Sequence, residues 1–111
     1  MPVWRIRDRR SFEELRLLGH RHRAGPVTVV ALLTADGTPP RVAYSVGKAV
    51  GPAVVRNKVR RRLRAIAGEI DLPSGAYLIS VTPAAADLDY PTLRGHVAAA
   101  VSGAVPAGTL P

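Results

Sequence analysis

The 111-residue chain reads as an α+β domain: a small, mostly antiparallel four-stranded sheet packed with three helices as a two-layer sandwich, in the order α-β-β-β-α-β-α. Three observations predict this. Apolar residues recur at helical spacing in three segments, each behind a start signal (Ser11, Pro52 and Asp89). Three short runs, VTVVALL, RVAYSV and GAYLISV, are apolar and β-branched in the manner of strands. Finally, a chain of this length supports one core, and it contains neither a repeat nor an internal linker, so residues 1–111 form a single domain.

The elements follow in order. Residues 1–10 form a basic arm, extended over 4–10. Ser11 and Glu14 make a capping box for a first helix that carries Phe12, Leu15 and Leu18 and stops at Gly19. Residues 20–23, HRHR, alternate as a short basic strand or loop. VTVVALL (27–33) is a buried strand, ADGTPP a turn, and RVAYSV (41–46) a strand antiparallel to it. Pro52 suits the first turn of a basic helix that ends near Gly68. GAYLISV (75–81) is the next strand. Asp89, Tyr90 and Pro91 then cap and open a last helix through Leu93, Val97, Val101 and Ala104, and residues 105–111 form a frayed tail.

Composition narrows the function. Zero cysteines removes disulfides, zinc–cysteine sites and thiol catalysis. No apolar run is long enough for a membrane span, and a charged start in place of a signal peptide predicts a cytoplasmic protein. The formal charge is +8, and it is concentrated: between Asp36 and Glu69 there is no acid, but there are eight bases. Such a field suits a polyanion.

Most of those bases lie in AVVRNKVRRRLR (53–64). At 100° per residue Val55, Val59, Leu63 and Ile66 form one apolar stripe. Arg56, Asn57, Arg60, Arg61 and Arg64 share another sector about 140° wide, with Lys58 and Arg62 flanking the stripe. Like charges meet at i, i+4 three times, each pair costing roughly 0.2–0.5 kcal/mol. A charge run is commonly a solvated face, but uniform sign and an embedded Asn57, able to donate and accept, point to an anionic ligand. Elsewhere the signals are weaker. His20 and His22 lack a third metal ligand and sit between arginines; the close acids Glu13/Glu14 and Asp87/Asp89 suit helix starts. Phe12 is either core or a base-stacking group. No residue constellation reads as catalytic, and no metal site is apparent.

The stretch RVAYSVGKAVGPAVVRNKVRRRLRAI resembles the signature region of the bacterial ribonuclease P protein subunit, a strand, a Lys-bearing loop and an A-x-x-R-N-x-x-K/R-R-x-x-R helix. Ala53, Arg56, Asn57, Arg60, Arg61 and Arg64 fall on that pattern, with Lys48 in the loop. RIRDRRSFEELRLLG resembles the family's basic arm and first helix, with Phe12 at its aromatic position, and GAYLISV its closing strand. The resemblance covers residues 5 to about 104.

It implies a left-handed β-α-β crossover, against the usual right-handed rule, and a partner. The family binds a catalytic RNA that itself holds the divalent metal (Mg²⁺) and removes the 5′ leader of precursor tRNA. The chain is then a component of a ribonucleoprotein endoribonuclease without a catalytic residue, a cofactor of its own or an obligate protein partner. Lys48, Arg56, Asn57, Lys58, Arg60, Arg61, Arg62 and Arg64 are the residues expected on the catalytic RNA. Phe12, Arg9, Arg16 and Arg23 are those expected on the leader. Arg16, Val27 and Val30 stand where some relatives place aromatics in the leader cleft, so stacking rests on Phe12. The alternatives are an architectural RNA binder of the ribosomal-protein kind, a DNA-binding regulator, for which no helix-turn-helix partner precedes residue 52, and a protein-only nuclease, which lacks an acidic metal cluster.

Overall fold

The computed structural model describes residues 3–105. Its elements are β1 (Trp4–Arg5), α1 (Arg9–Leu18), β2 (His20–Ala24), β3 (Val27–Leu33), β4 (Arg41–Val46), α2 (Ala53–Glu69), β5 (Gly75–Val81) and α3 (Tyr90–Ala104), with 3₁₀ turns at Lys48–Val50 and Pro83–Asp87. The sheet is five-stranded and mixed, in the order β1-β4-β5-β3-β2.

Two expectations about the sheet are corrected. The arm supplies a fifth strand: Trp4 N–H donates to the Pro40 carbonyl (2.8 Å) and Ile6 N–H to that of Val42 (3.3 Å). Nor is β4 antiparallel to β3. Between them lies β5, antiparallel to β3 and parallel to β4, with Val30, Leu78 and Ala43 on one rung. β5 is apolar on both faces, Ala76 and Leu78 on one and Tyr77 and Ile79 on the other, as suits a central strand with a layer on each side. The parallel β4–β5 pair requires a crossover, and α2 provides it.

The helices also occupy both faces, making three layers where two were expected. On one side α2 and α3 cover Val27, Val29, Ala31, Val42, Val46, Tyr77 and Ile79. On the other α1 presses Leu15 onto Val30, Ala43 and Ala76, beside Ile6. The continuous apolar run of β3 thus serves two cores at once, odd positions in one and even in the other.

Helix ends differ in detail from the sequence reading. The N-cap of α1 is Asp8, not Ser11: its carboxylate accepts from both the N–H and the hydroxyl of Ser11 (2.9 Å each). A carboxylate is the stronger acceptor, and those hydrogen bonds hold the Asp8 pKa below the usual carboxylate value. Glu14, freed from capping, pairs with Arg10 (3.2 Å). Pro52 is itself the N-cap of α2, which runs one residue past Gly68 to Glu69. Asp89 caps α3 as expected, accepting from Thr92 N–H (2.8 Å). Val105, assigned to the tail, is buried and continues the last turn of α3; the rest of the expected tail, 106–111, lies outside the described residues.

Candidate nucleic-acid interface

α2 presents its residues as its wheel predicts. Val59, Leu63 and Ile66 are buried and Val55 packs half-buried against the same core. The two ion pairs among the described residues are Arg10–Glu14 and Arg94–Glu69, so no cation of α2 is neutralised by a carboxylate there. Its cations nonetheless divide into two groups. Arg56 donates from Nε to the Gly51 carbonyl (3.1 Å), Arg60 from Nη2 to that of Val46 (3.3 Å) and from Nη1 to Asn57 Oδ1 (3.2 Å). Arg62 reaches the Leu88 carbonyl (2.9 Å) and ties α2 to the segment before α3. Lys58, Arg61 and Arg64 are exposed, as is Lys48 in the turn that leads into the helix.

On the α1 side of the sheet a groove runs from β2 towards β1. Its floor is the rung Arg21–Val30–Leu78–Ala43, set by the pairing register and about 14 Å across at the usual strand spacing. Phe12, 40% exposed, rises from α1 and divides it. One compartment, about 360 Å³, is lined by Arg9, Phe12, Glu13, Leu15, Arg16, Arg21, Val30 and Leu78. The other, about 140 Å³, is lined by Arg5, Ile6, Phe12, Ala43, Tyr44, Arg60 and Arg64. A third hollow, lined by Val3, Trp4, Arg5, Val42, Tyr44 and Arg64, lies on the opposite face of the sheet, where α2 meets the β1 edge. Burial raises the Tyr44 pKa, opposed by the nearby Arg64 charge, so its hydroxyl stays a donor at neutral pH.

Of the residues expected on the leader, Arg9, Phe12 and Arg16 meet in one compartment, and Arg23 does not. It shares Arg21's face two rungs farther along, and its Nε is held by the Gly25 carbonyl (2.9 Å). Arg21 takes its place, a substitution that the alternation of HRHR left open. Val30 lines the groove as expected, but Val27 lies on the opposite face and is fully buried in the α2–α3 core. Arg5, Glu13 and Tyr44 carried no sequence signal for the groove. Arg60 and Arg64, expected on the catalytic RNA, also open into it. Two of the three histidines are accounted for by packing: the His22 ring lies against Gly103 of α3, and the His96 ring over Gly25, which sits at φ +56°; His20 is exposed. No cluster of three or more metal-ligating side chains exists among the described residues.

The family model described as Ribonuclease P matches residues 2–105. The chain belongs to the ribonuclease P protein family. It is similar to the ribonuclease P protein component of Thermobifida fusca, 42% identical over 112 residues, which cover 90% of this chain and 75% of that one. It is also similar to the component of Thermus thermophilus, 36% identical over 96 residues covering 86% of this chain; there the match spans just 56% of the relative's length. In fold, the Staphylococcus aureus RNase P protein matches with a TM-score of 0.78 at 19% identity, covering 91% of this chain and 94% of that one. For a ribonuclease P protein, the uncompensated α2 face and the groove beside it are two surfaces that can each meet RNA.

Proposed function

We propose that this chain is the protein subunit of ribonuclease P. It docks on the catalytic RNA through Lys48 and the outer face of α2, and grips the 5′ leader of precursor tRNA in the groove between α1 and the sheet. The single observation that carries this reading is that Arg60 and Arg64 stand at the junction of the two surfaces. One helix thereby bridges both RNAs, its unengaged cations outward and these two turned towards Phe12. Leader phosphates would lie along Arg9, Arg16 and Arg21 at one end and Arg5, Arg60 and Arg64 at the other, with a base on Phe12. In this reading the divalent metals belong to the RNA, the protein improves substrate affinity, and the complex works in the cytoplasm. The β4–α2–β5 connection is the left-handed crossover that the family resemblance implies.

The test is the affinity of the reconstituted RNA–protein complex for precursor tRNA against tRNA without a leader. The leader-bearing substrate is expected to bind more tightly, and Phe12→Leu to reduce that advantage about tenfold, towards the lower end of the range for one stacked base because leucine keeps some apolar contact. Because Phe12 is outside both cores, its thermal midpoint should stay that of the parent. Equal affinity for the two substrates in the parent complex would contradict the reading.

A further inference from the structure

A carboxylate in a groove built for phosphates needs a reason. Glu13 lines the larger compartment among Arg9, Arg16 and Arg21, yet makes no ion pair among the described residues. Its neighbour Glu14 is different: it pairs with Arg10 and does not line the groove. Glu13 therefore offers two free acceptor oxygens beside Phe12, flanked by Arg9 and Arg16 on its own helix and with Arg21 of β2 in the same compartment.

A carboxylate only accepts, so in a nucleic acid it can meet only N–H and O–H groups. Adenine and cytosine each place a ring acceptor beside their amino group, and uracil flanks its one N–H with two carbonyls; all three set a lone pair against the carboxylate. Guanine alone has two adjacent donors, N1–H and the 2-amino group, spaced to meet both oxygens. Its far edge carries O6 and N7, the pair that a guanidinium satisfies bidentately. The compartment, about 360 Å³, lies within the roughly 300–1,000 Å³ of small-ligand sites. Its apolar floor of Val30 and Leu78 and the ring of Phe12 suit the two faces of a flat base.

We propose that this compartment reads one guanine of the bound single strand, Glu13 accepting from its N1–H and 2-amino groups while Arg16 or Arg21 donates to its other edge. The inference rests on the leader-binding reading above and adds a base preference to it. A 2′-hydroxyl is the competing donor to Glu13, and it would give no preference among bases.

The experiment uses the reconstituted RNA–protein complex and precursor tRNAs whose leaders carry guanine at one position at a time in an otherwise uridine leader. At one position guanine is expected to tighten binding about tenfold over the other three bases. Inosine there, which lacks the 2-amino group, should lose most of that gain. Glu13→Gln should abolish the preference or pass it to adenine, whose adjacent donor and acceptor match an amide, while Glu14→Gln leaves it intact. No guanine preference in the parent complex, a preference that survives Glu13→Gln, or an effect that follows 2′-deoxy substitution and not the base would overturn the proposal. If leader-bearing and leaderless tRNA bind equally, the underlying reading falls too; leader-sensitive binding without base preference overturns this inference alone.

Discussion

Replacing Lys48, Lys58 and Arg61, the exposed cations of the docking face, together with alanine is expected to lower affinity for the RNA subunit on the order of 10²-fold near 0.1 M salt. It should also make the slope of log K against log salt shallower by roughly three, about one unit for each phosphate that is no longer neutralised. The physical basis is that α2's cations face no carboxylate among the described residues, so their mutual repulsion is relieved by the RNA's counterion exchange alone. Folding should survive, because all three side chains are exposed and none is committed to a backbone carbonyl. Arg62→Ala provides the contrast. Its guanidinium is committed to the Leu88 carbonyl, so the loss should appear in stability and barely in the salt slope. Filter binding across a salt series decides it: unchanged affinity and slope in the triple variant would reduce the basic face to a solvated surface.

The second large effect is on the fold. Leu63 is fully buried, on the stripe where α2 meets the sheet and α3. Leu63→Ala should cost about 2–5 kcal/mol, transfer of the deleted atoms plus the cavity left behind. Against a total of about 5–15 kcal/mol for a domain, that is a large share. Val54, on the same helix but facing away from the core and 81% exposed, is the control; Val54→Ala should stay within about 0.5 kcal/mol. Urea unfolding of the two variants gives both numbers, and equal midpoints would mean that α2 does not carry the core.

These two residues mark how far sequence alone reaches. The α2 stripe and its charged face follow from a 3.6-residue period, and the structure places both where that period puts them. Asp89 as a cap and Leu93, Val97, Val101 and Ala104 as one buried face were legible for the same reason. Strand neighbours were not, because a period of two says which residues share a face and nothing about which strand lies alongside. Hence β4 was assigned to β3 although β5 separates them. The two-sided apolar pattern of β3 and β5 was in the sequence, and taken at full value it requires helices on both faces. It also excludes Val27 from the groove by parity with the cleft-lining Val30.

Within the candidate site, local chemistry could be read and long-range commitments could not. Arg62 looks like any other cation of α2 until Leu88, 26 residues on, is found beneath it. Asp8 outcompetes Ser11 as a cap because a carboxylate accepts two hydrogen bonds at once, an outcome that the S-x-x-E pattern obscures. Phe12, open between core and ligand in the sequence, is settled as a groove residue by its exposure and its place between two compartments.

The central claim is that this chain assists an RNA catalyst and its leader-bearing substrate without itself cleaving. The most direct measurement is precursor-tRNA cleavage by a bacterial ribonuclease P RNA at low magnesium, with and without this protein. The account predicts strong stimulation by the protein, little of it for a substrate lacking most of the leader, and no cleavage by the protein alone. Cleavage no faster than the RNA alone would contradict it.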